Sequence, residues 1–111
     1  MKKLPSIRKK REFDFTQKKG TRVSSHYFNL YWMIHSPPGL GLTVSKKVSK
    51  KAVIRNRIRR ICRETVRVDF QFLMENLKLV VIARPPTAEL DRKAIKLNLS
   101  SALKKIRAKP R

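Results

Sequence analysis

The side chains best able to do chemistry are gathered between Lys46 and Arg67, in the run KKVSKKAVIRNRIRRICRETVR. Guanidinium and ammonium groups bind anions, and arginine does so with a planar fork that pairs two oxygens at once. At 100° per residue, a helix over residues 50–68 sorts this run onto two faces. Ile54, Ile61, Cys62 and Thr65 fall within about 60° of Ile58, which makes an apolar stripe suited to a core. Asn56, Arg60, Arg63 and Arg67 fall on the opposite side at i, i+4, i+7 and i+11, with Arg59 flanking them. Arg55 and Arg57 bracket the asparagine. Such a rigid row, one turn between members, meets successive phosphates of a polyanion. Asn56 is the odd member, because an amide both donates and accepts and so suits a base edge, a 2′-hydroxyl or a metal-bound water. The bland reading is a solvated face laced by i,i+4 pairs such as Arg60 with Glu64. The density of arginine favours binding.

Lys46, Lys47, Lys50 and Lys51 stand at the entry to that helix. Unpaired N–H groups and the positive dipole end favour phosphate there, with ordinary loop lysines as the competing reading. Aromatic residues are the second ingredient of RNA recognition, since unpaired bases stack on them. In residues 27–35, YFNLYWMIH, strand alternation puts Phe28, Leu30, Trp32 and Ile34 on a core face. Tyr27, Asn29, Tyr31 and Met33 take the other face. Tyr31 and Asn29, with Phe13 reaching over from an earlier helix, form either a nucleic-acid groove or a second small core.

Catalytic constellations are poorly represented. The only histidines, His26 and His35, lie near strand ends, and no nucleophile–base pair is indicated. The carboxylates Glu12, Asp14, Glu64, Asp69, Glu75, Glu89 and Asp91 are scattered, whereas metal-assisted phosphodiester cleavage needs convergent ones. No protein-borne metal site or active site is expected. The three glycines, Gly20, Gly39 and Gly41, make no phosphate loop. The lone Cys62 has no disulfide or zinc partner and reads as a small core residue in a reducing, cytoplasmic setting.

The whole chain repeats the message of the motif. Its 111 residues carry 29 Lys+Arg against 7 Asp+Glu, a net charge of +22, with 41% hydrophobic residues. That fits one modestly cored domain whose self-repulsion a polyanion relieves. No stretch approaches the ~20 apolar residues of a spanning helix, and no signal-peptide core follows Met1. Neither a membrane nor an obligate protein partner is expected.

The elements that must position these groups follow from periodicity and turn chemistry. A loose basic arm over 1–7 leads to a helix over 8–19, with Ser6 as N-cap and Gly20 as C-cap. Strands follow over 27–35 and 40–45, separated by Ser36-Pro37-Pro38-Gly39 and expected to pair as a hairpin, with a weaker strand signal at Thr21–Ser24. After the 50–68 helix, residues 71–77 extend it or make a separate turn. Lys78–Arg84 reads as a buried central strand. Asp91 caps a final helix over 92–107 with the stripe Ile95, Leu99, Ala102 and Ile106, and 108–111 fray. The order α, β, β, α, β, α, with one optional short strand, predicts a single-domain α+β sandwich of helices on a mixed sheet.

The segment LGLTVSKKVSKKAVIRNRIRRICRE, residues 40–64, closely resembles the signature of the bacterial ribonuclease P protein subunit family. Ala52, Arg55, Asn56, Arg57, Arg59 and Arg60 carry its Ala-x-x-Arg-Asn-Arg core. Phe13, Gly20, the aromatic strand and the late VVIAR strand match the flanks. The resemblance implies a protein cofactor of a catalytic RNA, in a holoenzyme that removes the 5′ leader of precursor tRNA while RNA-held Mg²⁺ carries the chemistry. It assigns Lys46, Lys47, Lys51, Arg55, Asn56, Arg57, Arg59, Arg60, Arg63 and Arg67 to the RNA subunit, with Asn56 near an RNA-bound Mg²⁺. It places Phe13 and Tyr31 in a leader cleft between the first helix and the sheet, which Gln17 and Asn29 are expected to line as well. It also implies a left-handed βαβ crossover around the motif helix, against the usual rule. Gln17 departs from the family, which has an aromatic or bulky apolar residue there. Phe15 points about 160° away and cannot substitute. A ribosomal or ribosome-assembly RNA-binding protein is the alternative for the same composition.

Overall fold

The computed structural model describes residues 4–35 and 37–106. Along the chain come α1 (Lys10–Lys19), β1 (Thr21–Ser24), β2 (Phe28–Ile34), β3 (Gly39–Thr43), α2 (Ala52–Asp69), β4 (Leu77–Ala83) and α3 (Arg92–Leu103). Short 3₁₀ turns at Gln71–Glu75 and Pro85–Glu89 flank β4, so the 71–77 segment is a separate turn.

The sheet order is β1-β2-β4-β3. β2 runs antiparallel to β1 and β4, while β3 and β4 are parallel and joined through α2. The hairpin expected from residues 27–35 and 40–45 therefore does not form, because β4 lies between them. LVVIA is apolar on both faces and stable only where both are covered, and the long 44–76 connection lets β3 lie parallel beside it. The weak Thr21–Ser24 signal is a true edge strand.

One face of the sheet holds the main core. Phe28, Leu30, Leu79 and Val81 meet Ile58, Ile61, Cys62 and Val66 of α2 and Ile95, Leu99, Ala102 and Leu103 of α3, all buried. Each such large side chain contributes about 1.5–3 kcal/mol of apolar burial, so α2 is fixed in rotation as well as position. Ile34 departs from the expected core set: it ends β2 and is 47% exposed. Ile106 stays buried although α3 stops at Leu103. The Asp91 cap forms as expected, with the Ala94 N–H donating to Asp91 Oδ1 at 2.8 Å.

α1 covers the other face. Its N-cap is Lys9, which makes no side-chain cap, and not Ser6. Ser6 is drawn away because it bridges to Leu40. Leu40 N–H donates to Pro5 O at 2.9 Å, and Ile7 N–H to Leu40 O at 3.1 Å. The end of the expected loose arm is thus tied along β3. The first residues of that arm (1–3) and the tail (108–111) lie outside the described residues. Gly20 is the C-cap, its N–H donating to Thr16 O at 2.8 Å.

Candidate nucleic-acid interface

α2 separates its charges as the projection requires. Ile58, Ile61, Cys62, Thr65 and Val66 are buried, and Asn56, Arg60 and Arg63 are exposed on the outer side. Residues 56 to 67 span about 16 Å at 1.5 Å per residue. Arg57, Arg59 and Arg67 are half-buried at the flanks. Burial pushes the Cys62 thiol up to about 12, so it stays a neutral core group. Glu64 pairs with Arg92 of α3 and not with Arg60. The exposed row therefore keeps its charge, while the acid locks two helices together.

Hydrogen bonds pre-arrange the motif. Arg59 Nη1 donates to Asn56 Oδ1 at 2.6 Å, which turns the Asn56 amide NH₂ outward as a donor. Arg55 does something different from its neighbours: its Nη1 donates to Ser49 O and Lys50 O, both at 3.0 Å. It clamps the loop ahead of the helix. Within that loop the Ser45 and Ser49 hydroxyls accept from the Lys47 and Lys51 N–H groups at 3.3 and 3.2 Å. Lys46, Lys47, Lys50 and Lys51 are exposed on this ordered turn. The N-terminus of α2 has no side-chain cap and no acid in its first turn, so its dipole end remains available to an anion.

On the α1 face of the sheet, Tyr31, Val80 and Gly41 are register partners across three strands. Asn29, Ile82 and Thr43 form the next row. Strands about 4.8 Å apart put positions 31 and 41 roughly 10 Å from each other. Phe13 lies on Gly41: a Cβ there would stand 2.7 Å from Phe13 Cδ2. Phe13 and Tyr31 thus flank Val80, both half-buried with ring surface in solvent. Gln17, one turn beyond Phe13, is exposed. Asn29 Oδ1 accepts from Ser24 Oγ at 2.8 Å, which leaves its NH₂ as the outward donor. Beside Phe13 a cavity of about 390 Å³ is lined by Ile7, Arg8, Lys9, Lys10 and Thr43. Thr43 stands three residues before Lys46, so this groove opens toward the lysine turn and the start of α2.

Two contributors escaped the sequence reading. The Arg22 guanidinium carbon lies 5.9 Å from the Tyr31 ring centroid, a cation–π arrangement created by cross-strand register. Only the weak β1 signal could have located it. Lys78, buried in β4, pairs with Glu12 of α1. That hydrogen bond from the ammonium holds the Glu12 carboxyl below its usual 4.5. The sequence could not show the Lys78–Glu12 pair, because its partners are 66 residues apart along the chain.

Among the described residues, no three His, Cys, Asp or Glu side chains converge on a metal position. No helix among the described residues is long and apolar enough to cross a membrane. Fold and site together define a class, a small basic α+β RNA-binding protein built around an exposed arginine row and an aromatic groove. A family model described as Ribonuclease P matches residues 1–107. The ribonuclease P protein component of Geobacillus sp. (strain WCH70) is 37% identical over 95% of this chain and 92% of its own, and that of Shouchella clausii 38% over 95% and 88%. The RNase P protein of Staphylococcus aureus superposes with TM-score 0.79 at 33% identity over 89% of this chain and 92% of its own. That of Thermotoga maritima gives 0.80 at 26% over 93% and 98%. The chain belongs to the ribonuclease P protein component family. It is thereby the protein subunit of a tRNA 5′-processing ribonucleoprotein whose partner is the ribonuclease P RNA, and the ribosomal alternative falls away.

Proposed function

We propose that α2 docks on the catalytic RNA through Asn56, Arg60, Arg63 and Arg67, flanked by Arg57 and Arg59, with Lys46, Lys47 and Lys51 on an adjoining phosphate and Arg55 shaping their turn. The Phe13–Gln17–Asn29–Tyr31 groove takes the single-stranded 5′ leader of precursor tRNA, stacking bases on two aromatic rings. The observation that carries this reading is that Phe13 lines a cavity with Thr43, the last residue of β3, three residues before the lysine turn begins. A leader leaving the groove there arrives beside the RNA-facing helix.

Mg²⁺ is held mainly by the RNA. Asn56 Oδ1 already accepts from Arg59 and keeps a second lone pair that can accept from a metal-bound water. The scattered acids support leaving bond cleavage to the RNA. The buried, un-ionised Cys62 supports a reducing, cytoplasmic setting. The test is to add the protein to a bacterial ribonuclease P RNA and follow precursor-tRNA cleavage at low Mg²⁺. Stimulation that depends on leader length is expected. Absence of any stimulation refutes the reading.

A further inference from the structure

The flank of α1 turned away from Phe13 carries a second aromatic recess. Phe15 is 49% exposed although the chain has apolar core to place it in. Together with His35, which follows β2, and with Arg11, Glu12 and the buried Lys78, it lines a recess of about 170 Å³. The two rings come from different elements. A lone exposed phenylalanine needs no explanation. A phenylalanine and an imidazole lining one recess with a guanidinium is a combination that holds a stacked base and its phosphate.

We propose that this recess is a binding pocket for one unpaired nucleotide, the base stacked on Phe15 with His35 opposite and its phosphate on Arg11. This goes beyond the groove reading but rests on it for the premise that single-stranded RNA runs along α1. Glu12 is hydrogen-bonded to the Lys78 ammonium and stays ionised, so it is acceptor-only and takes a base N–H, while the ammonium keeps N–H donors for a base carbonyl. Charge complementarity selects nucleic acid over an apolar peptide, since the flank belongs to a chain of net charge +22. α1 itself presents Lys10, Arg11, Lys18 and Lys19. The nucleotide belongs either to the precursor leader or to the RNA subunit.

The experiment uses reconstituted holoenzyme. Affinity is measured for precursors with a long leader and with a single-nucleotide leader, and separately for assembly with the RNA subunit. The variants are Phe15→Ala, Phe15→Tyr and, as reference for the groove, Phe13→Ala. Phe15→Ala is expected to lose about tenfold, the scale of one base–aromatic stack, while Phe15→Tyr keeps wild-type affinity. Loss confined to the long-leader precursor identifies the leader as the source, and loss in assembly identifies the RNA subunit. If Phe15→Ala binds like wild type while Phe13→Ala weakens, the pocket is refuted and the groove stands. If both bind like wild type, the pocket and the groove reading fall together. An equal loss with Phe15→Tyr also overturns the pocket, since stacking would survive that change.

Discussion

The outer face of α2 and the groove beneath α1 are built in opposite ways. The α2 face is a property of one helix: eighteen consecutive residues carry both its anchor and its charges, and local hydrogen bonds Arg59–Asn56 and Arg55–Ser49/Lys50 tune it. The groove is assembled from α1 and all four strands. Phe13, Tyr31, Arg22 and Thr43 meet only because the sheet order brings them together. On the proposed reading, the first surface would bind through charge and be screened by salt, and the second would add ring stacking that salt affects less. That reading gives affinity to one side and discrimination to the other.

The largest break in this comparison comes from the arginine row. Arg60→Ala combined with Arg63→Ala removes two charge-assisted hydrogen bonds to phosphate, each worth about 1.5–3 kcal/mol, so affinity for the ribonuclease P RNA falls roughly a hundredfold or more. The slope of log affinity against log salt shrinks by about one for each phosphate that no longer meets an arginine. Titration at several salt concentrations checks both. An unchanged slope would put the RNA on some other surface.

The groove should break without touching α2. Gly41→Ala pushes a Cβ into Phe13 at 2.7 Å, and such overpacking costs about 1–3 kcal/mol. Thermal unfolding reads the loss. The Phe13→Ala/Gly41→Ala pair should recover most of it, since the two residues press on each other directly. Affinity for the RNA subunit should stay at wild-type level, while preference for leader-bearing precursor falls in both single variants. Loss of RNA-subunit affinity in Gly41→Ala would show that the two surfaces are mechanically one.

How much was legible follows the same division. The 3.6-residue period alone places Ile58 and Cys62 inward and Arg60 and Arg63 outward, and the Asp91 cap and the apolar β4 run are equally local. Strand pairing is not. Alternation in residues 27–35 assigns Tyr31 to the correct face but carries no information about its neighbours, and adjacency in sequence suggests a β2–β3 hairpin where β4 intervenes. The Lys78–Glu12 pair, 66 residues apart, and the Arg22–Tyr31 contact depend on that order. Ser6 looks like a cap because nothing in the sequence reveals its competing partner, Leu40. The part played by Arg55 is hidden for a related reason: a motif records that an arginine is present, not that its Nη1 is turned back onto two carbonyls.

A smaller effect tests whether Arg55 is a clamp. Arg55→Ala frees the Ser49 and Lys50 carbonyls and should cost about 1 kcal/mol, on the scale of an ordinary net hydrogen bond. Amide exchange should quicken in the lysine turn and the first turn of α2, and RNA affinity should fall by less than for the Arg60/Arg63 pair. Arg55→Lys should restore part of the protection, because both carbonyls are met by one nitrogen, Nη1, and an ammonium also carries several N–H donors. An affinity loss as large as that of Arg60→Ala, with exchange unchanged, would return Arg55 to direct contact.

The smallest effect separates the two surfaces by pH. Glu12 has a folded-state pKa below its ordinary 4.5, chiefly through the Lys78 hydrogen bond. A depressed carboxylate contributes stability that is fully present above the unfolded value and is lost as pH falls through the folded one. Below about pH 4.5 the tie between α1 and β4 therefore weakens, leaving Lys78 buried without its counter-charge. α2 is held to the sheet by apolar side chains, and its Glu64 pairs with Arg92 of α3 and not with a strand. Amide exchange across a descending pH series should show α1 losing protection before α2. Glu12→Gln should lower α1 protection at neutral pH and flatten its acid dependence while leaving α2 unchanged. Simultaneous loss in both helices would mean that the sheet transmits the ion pair to its far face, and that the groove and the arginine row open as one unit.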